Sequence, residues 1–438
     1  MAHGLIIAAP ASGSGKTLTT LSLLSLLKAR GIDVVGCKAG PDYIDPGFHA
    51  AATGKPCFNL DIWAMRREGL DGLLARQASR GDLVVVEGVM GLFDGIPGFS
   101  ARENGSTAEL ARALGLPILL VMNVKGMGAT AAALLQGIVT HDPSLQFAGV
   151  IFNQVGGPGH RDILARAAAE AGLTVFGCLP RVAELAVPER HLGLVQAREH
   201  AALDDFFAAA RAAFGDALEL EGIVAAAGEI AARPANSVLL PPLGQRIALA
   251  EDAAFAFSYP FHLEQWRAAG AEILPFAPLA DQAPDASADA VFLPGGYPEL
   301  HAGRLAGNRR FLDGLRAAAA RGAVVYGECG GYMTLGSHLT DAAGVQHQMA
   351  GLLPVATSFA TRRLHLGYRA AELLAAAPFG TPGTTLRGHE FHYATILHEG
   401  DAPALFRLTD ARGRDLGPAG RRVGPVMGSF MHLIDRAA

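Results

Sequence analysis

The chain has 438 residues, half of them apolar, which suffices for two domains with sizeable cores and excludes an intrinsically disordered protein. Lysine and arginine number 36 against 41 acidic residues, a net charge of −5 with no basic tail, so nothing calls for nucleic acid or an anionic membrane. Charged residues are 18% and glycines number 54, a balance that suits an α/β protein with many tight turns.

Residues 4–10, 32–39, 82–89, 117–124 and 147–155 read as buried parallel strands, apolar on both faces. Alanine- and leucine-rich stretches at 17–30, 67–80, 106–114 and 127–140 alternate with them as helices, the pattern of a doubly wound parallel sheet. The segment 199–232 turns helical, and the Pro-rich 233–245 reads as an interdomain linker. A second α/β series follows at 246–255, 272–278, 289–296 and 323–331, then strands near 363–371 and 386–394 and a last strand-like run over 426–435. The expected division is 1–198, a connection over 199–244, and 245–438. The apolar run 116–124 is too short to cross a bilayer, and the N-terminus lacks the cationic segment of a signal peptide. Four scattered cysteines without a CxxC pair fit reduced thiols, so a cytoplasmic enzyme is expected.

PASGSGKT at 10–17 matches the phosphate-loop pattern except that Pro10 replaces the first glycine, and it lies between a strand and a helix as that motif requires. Gly13, Ser14 and Gly15 wrap phosphates with backbone N–H groups, Lys16 reaches the β- and γ-phosphates of a bound nucleotide, and the Thr17 hydroxyl is placed to ligate Mg²⁺. KAGPDYIDP (38–46) and EGVMGLFDG (87–95) then put Lys38, Asp42, Asp45, Glu87 and Asp94 at strand ends, where ligands bind in open α/β sheets. The four carboxylates are expected to converge on the phosphates and hold Mg²⁺, chiefly through Asp45 and Glu87 with Thr17.

GECGG at 327–331 follows an apolar strand and has the form of a nucleophile elbow, presenting Cys329 at a helix N-terminus whose dipole favours the thiolate. The Gly-Gly turn of FLPGGYPE puts the Gly296 N–H, with that of Gly330, in position for an oxyanion hole. His432, in VMGSFMHLID, is the candidate base. GHEFHY (388–393) has histidines three apart on an expected strand, facing opposite sides, which argues against zinc.

Together, PASGSGKT, KAGPDYIDP, EGVMGLFDG, LPGGYPE, GECGGYMTLG, GHEFHY and SFMH resemble the cobyrinate and hydrogenobyrinate a,c-diamide synthases, over residues 4 to about 434 and in family order. The resemblance implies a dethiobiotin-synthetase-like phosphate-loop ligase followed by a class I, triad-type glutamine amidotransferase. It implies that Cys329 releases ammonia from glutamine with His432 as base, while ATP activates the a- and c-carboxylates of a corrinoid. Asn153 would contact adenine. One departure is that His432-Leu433-Ile434 lacks the usual acid two residues on, with Asp435 out of that spacing, which suggests a Cys-His dyad. Metal-free and cobalt-containing corrinoids both stay open, as does the oligomeric state, a homodimer included. A partition-type switch ATPase is disfavoured because its early signature lysine is Ala11 here and it needs no glutaminase. Cobyric acid synthase uses similar parts but is usually longer.

Overall fold

The computed structural model describes residues 2–437 apart from 101, 183–184, 186–188, 191–192, 195, 200–201 and 232–236. The chain forms two compact units: residues up to Trp63 with Arg67–Ser237, and Ala64–Arg66 with Val238 onward.

In the first unit the order is β1 (His3–Ala8), α1 (Lys16–Ala29), β2 (Val34–Ala39), α2 (Asp45–Thr53), β3 (Phe58–Leu60), α3 (Arg67–Ala78), β4 (Leu83–Glu87) and α4 (Thr107–Leu114). There follow β5 (Ile118–Asn123), α5 (Thr130–His141), β6 (Phe147–Val155), α6 (Pro158–Glu170) and β7 (Val175–Pro180). Two short strands, β8 (Glu189–Arg190) and β9 (Gly193–Leu194), pair with each other, and α7 (Leu203–Phe214), α8 (Leu220–Ala225) and β10 (Gly228–Glu229) complete the unit.

The sheet runs β3-β2-β4-β1-β5-β6-β7, parallel throughout, with β10 antiparallel on β1. Its central strands are apolar on both faces because helices cover both sides, which is why sequence periodicity there is weak. The segment expected to be helical over 199–232 ends differently: Gly228 and Glu229 pair antiparallel with Gly4 and His3 of β1, a strand inside the sheet. Residues 233–236 of the expected linker lie outside the described residues.

The second unit opens with β11 (Arg246–Ala250), α9 (Pro260–Ala268), β12 (Glu272–Phe276), β13 (Ala290–Leu293), α10 (Ala302–Gly307), α11 (Arg309–Ala320), β14 (Val324–Glu328) and α12 (Gly330–Leu335). Then come β15 (His338–Thr340), β16 (Gln346–Gln348), β17 (Val355–Ser358), β18 (His365–Leu373), β19 (Thr385–His392) and β20 (Thr395–Glu399). The chain ends with β21 (Phe406–Asp410), β22 (Asp415–Ala419), β23 (Arg421–Val423), β24 (Val426–Ser429) and β25 (His432–Arg436).

A sheet β12-β11-β13-β14-β24-β23 is parallel except at its β23 edge. Two further sheets, β16-β15-β17-β20 and the antiparallel β22-β21-β18-β19-β25, carry the later segments. The run 426–435 is therefore not one strand, as the sequence suggests, but two. β24 stays in the parallel sheet, Phe430 and Met431 turn the chain, and β25 enters the antiparallel sheet. The Ser429 hydroxyl accepts the Met431 N–H at 3.1 Å, holding that break. One apolar cluster lies around Phe255, Phe311 and Tyr332, and another around Trp266, Phe292 and Phe406.

Candidate active sites

In the first unit the phosphate loop joins β1 to α1. Gly13 and Gly15 have φ of 76° and 89°, conformations that side chains rarely adopt, and a methyl group on Gly15 would also strike the Asn153 amide. The Ser14 hydroxyl donates to the Ala11 carbonyl at 2.8 Å, and Asn153 Nδ2 donates to the Ser14 carbonyl at 3.0 Å. Asn153, expected at adenine, thus has its amide nitrogen committed to the loop backbone.

Lys16 opens α1 and is buried, with Nζ donating to the carbonyl of Met90, a residue at φ 50° in the turn after β4. Burial, with Lys38 close by, lowers the affinity of its ammonium for the proton.

Because β2 and β4 are parallel neighbours in register, Lys38 stands beside Glu87. Its Nζ donates to Asp45 Oδ2 at 2.6 Å and to Glu87 Oε1 at 3.0 Å, while the Thr17 hydroxyl donates to the same Glu87 oxygen at 2.6 Å. The other Glu87 oxygen lies 2.6 Å from His49 Nε2 on α2. Burial alone would push the Glu87 carboxyl up, but Lys38, His49 and Thr17 together hold it well below the usual carboxylate range. Burial likewise opposes the Lys38 charge, and Asp45 and Glu87 overcome it, keeping the ammonium above its ordinary value.

Of the four expected acids, Asp45 and Glu87 therefore meet on one lysine. Asp42 and Asp94 instead tie an oxygen to backbone. Asp42 Oδ1 accepts the N–H groups of Ile44 and Asp45 at 2.7 and 3.0 Å, and Asp94 Oδ2 accepts that of Gly91 at 2.9 Å. They still act through charge, Asp42 on Lys38 and Asp94 on Lys16. His49 gave no signal in sequence, being a lone histidine in an alanine-rich helix.

The oxygen donors of Thr17, Asp45 and Glu87, gathered through Lys38 at strand ends beside the phosphate loop, suit a hard cation shared with phosphates. Among the described residues, no three histidine, cysteine or acidic side chains are gathered to hold a metal ion by themselves.

In the second unit Cys329 lies between β14 and α12 with φ 47° and ψ −102°, a strained turn that exposes no more than 2% of the residue. Its N–H donates to the Ser429 carbonyl of β24 at 2.8 Å, and the Gly331 N–H donates to Pro294 at 3.1 Å. A methyl group on Gly331 would collide with the Leu293 carbonyl, so the helix approaches β13 this closely only with glycine there. A methyl on Gly330 would stand 3.1 Å from Gly296 N, which makes the two expected oxyanion donors neighbours.

The expected lowering of the thiol is reversed. Burial, then the carboxylate of Glu299, push Cys329 well above its ordinary value; the Gly330 N–H opposes them, and Glu328 and Glu390 add to the push.

His432 is the first residue of β25, and a methyl on Gly295 would collide with its Cε1 while lying 3.4 Å from Cys329 Cβ. Gly295 is therefore where His432 and Cys329, the expected base and nucleophile, approach each other. On the other side of the ring, His432 Nδ1 is 3.6 Å from Glu328 Oε2. This acid was missed in sequence because it precedes the cysteine rather than following the histidine. Asp435 is engaged elsewhere: its carboxylate accepts the Arg66 backbone N–H at 2.8 Å and the Arg66 guanidinium at 2.9 Å.

The two histidines of GHEFHY go separate ways. His389 stacks on His432 with centroids 5.0 Å apart, and His392 stacks between His365 and Phe430 at 4.6 and 3.9 Å.

Residues 5–195 match the CobQ/CobB/MinD/ParA nucleotide binding domain family, and 246–437 match the CobB/CobQ-like glutamine amidotransferase domain family. The chain is 54% identical to a hydrogenobyrinate a,c-diamide synthase of Brucella abortus biovar 1, over 99% of this chain and 98% of that protein. It is 53% identical to the one from Sinorhizobium sp, over 99% of both chains. Identity to the one from Rhodobacter capsulatus is 54%, over 98% of both. With both domains in place and its relatives matched from end to end, the chain belongs to the hydrogenobyrinate a,c-diamide synthase family.

Proposed function

We propose that the chain amidates the a- and c-carboxylates of hydrogenobyrinate, using ATP and glutamine, in cobalamin biosynthesis. The observation that carries the reading is the presence in one chain of two built sites: the phosphate loop with Lys38, Asp45 and Glu87, and Cys329 with His432. The residues up to about 198 would serve as the ligase and those from about 245 as the glutaminase; of the expected connection 199–244, the part up to Ser237 belongs to the first unit. Their parent families and the end-to-end likeness to named synthases support this division. A cytoplasmic location fits a reaction that consumes ATP and glutamine, and no described helix is long and apolar enough to cross a membrane.

In the glutaminase, His432 Nε2 would take the Cys329 thiol proton as sulfur attacks the side-chain carbonyl carbon of glutamine. The oxyanion would meet the N–H groups of Gly296 and Gly330. His432 would then return the proton to the departing nitrogen, releasing ammonia, and water would hydrolyse the glutamyl thioester to glutamate.

In the ligase, the substrate carboxylate would attack the outer phosphorus of ATP, giving an acyl phosphate and ADP. Ammonia would then displace phosphate to leave the amide. Each amide thus consumes one glutamine, one ATP and one water, and yields glutamate, ADP and phosphate. Gly13, Ser14, Gly15 and Lys16 would hold the phosphates, and Asn153 would keep the loop in shape beside the adenine site. Thr17, Asp45 and Glu87 would hold Mg²⁺, which would neutralise phosphate charge when bound. Lys38 would steady the carboxylates, and Asp42 and Asp94 would shape the two loops.

Cys329→Ala should abolish glutamine-dependent amidation and leave ammonia-dependent amidation intact. Lys16→Ala should cripple both. Hydrogenobyrinate and its cobalt-containing analogue, offered side by side with products read by mass, decide the substrate: two mass steps of one amide each on the metal-free corrinoid support the reading, and amidation of neither refutes it.

A further inference from the structure

A general base that becomes charged in the transition state works best with its ring fixed and its cationic form stabilised. The residues after His432 offer no acid for this, and Asp435 is bound to Arg66. Glu328 stands in that place. It is the last residue of β14, its side chain is 7% exposed, and its Oε2 lies 3.6 Å from His432 Nδ1. Its other oxygen accepts the Tyr326 hydroxyl at 3.1 Å and the Leu433 N–H at 3.1 Å. One oxygen is thus clamped by its own strand and by the residue following His432, which leaves the second directed at the imidazole.

We propose that Glu328, the residue before the nucleophile, is the positioning acid of the glutaminase and fixes His432 as the Nδ1–H tautomer with Nε2 turned to Cys329. The inference rests on the glutaminase reading given above. At rest the contact is longer than a hydrogen bond. It shortens once His432 accepts the Cys329 proton, because an imidazolium and a carboxylate attract far more strongly than a neutral ring does. The clamp fits this use, since Tyr326 and Leu433 satisfy one oxygen without neutralising the charge.

The other groups around the ring do not supply that charge. His389, stacked on its face, is kept neutral by burial, and His392 is held low for the same reason. Arg369 is paired with Glu390, and Glu299 acts on the Cys329 thiol.

The test is Glu328→Gln in the full-length enzyme. Glutamine keeps the shape but turns an amide N–H towards Nδ1, favouring the wrong tautomer. Glutamine-dependent kcat/KM should fall on the order of 100-fold or more. Ammonia-dependent synthesis should stay within about twofold, since it bypasses proton transfer at His432. The loss should fall on kcat, with KM for glutamine within about twofold, because proton transfer rather than glutamine binding is impaired. Tyr326→Phe, which loosens the clamp but keeps the acid, should lower glutamine-dependent kcat in the same way by less.

Near-normal glutamine use in Glu328→Gln would overturn the proposal. So would an equal loss with both nitrogen donors in both variants, which marks a structural role. Cys329→Ala run in parallel separates the two readings. If it keeps glutamine use, the glutaminase assignment itself fails; if it loses that use while Glu328→Gln does not, only the role of Glu328 fails.

Discussion

At Cys329, burial and neighbouring carboxylates work against the thiolate, which favours a neutral thiol that gives up its proton as glutamine is attacked. Alkylation of Cys329 by iodoacetamide should therefore keep accelerating past about pH 9. A plateau near neutral pH would mean a preformed thiolate. Gly295 is the tightest point of the same site. Gly295→Ala drives a methyl into His432 Cε1, and should remove glutamine-dependent activity while ammonia still supports synthesis. Retention of glutamine use would show that the ring can move aside. The loops that carry the candidate residues are legible in sequence, because glycines must flank a strained cysteine and a phosphate loop. Glu328 and His49 are not, since their meaning depends on which strand or helix lies opposite: Glu328 meets His432 only because the chain leaves β24 and re-enters as β25.

Among the elements, β24 and β25 illustrate why a continuous apolar run misleads. Val426–Ser429 and His432–Arg436 are all buried up to the last residue, so no change in polarity marks the turn at Phe430–Met431. The helix α7 illustrates the opposite case. Its alanine-rich sequence is read correctly as helical, but its attachment is not visible there. Arg211 donates to the Ser25 hydroxyl of α1 at 2.7 Å, and Phe214 is buried at the end of the helix. Phe214→Ala should cost the first unit about 3–5 kcal/mol. Calorimetry checks this, with a lower unfolding temperature expected for that unit; an unchanged transition would mean that α7 is merely a connector.

Across the whole molecule, sequence motifs report the doubly wound and amidotransferase folds because both are built around loops of fixed chemistry. The crossing of Ala64–Arg66 into the second unit carries no such signature, as a three-residue excursion changes neither composition nor periodicity. Its anchor is the Arg66–Asp435 pair, whose carboxylate is fully buried. Burial raises the Asp435 carboxyl, and Arg66 offsets part of that. Arg66→Met should destabilise the enzyme by about 3–5 kcal/mol at neutral pH, because it leaves that carboxylate without its cation. The loss should shrink as the pH falls from the raised value of Asp435 towards the ordinary carboxylate range, since proton uptake in the folded state then removes the charge. Thermal unfolding across that window checks the sign, and a deficit that grows on acidification would contradict it.

Arg66 also bears on heredity. A gene split at the junction of the two sequence families would encode a C-terminal product lacking the arginine that its last strand requires. That product would bury the Asp435 carboxylate without its cation unless the N-terminal product returned Arg66 to it in trans, so the two halves would have to be made together to keep the parent's stability.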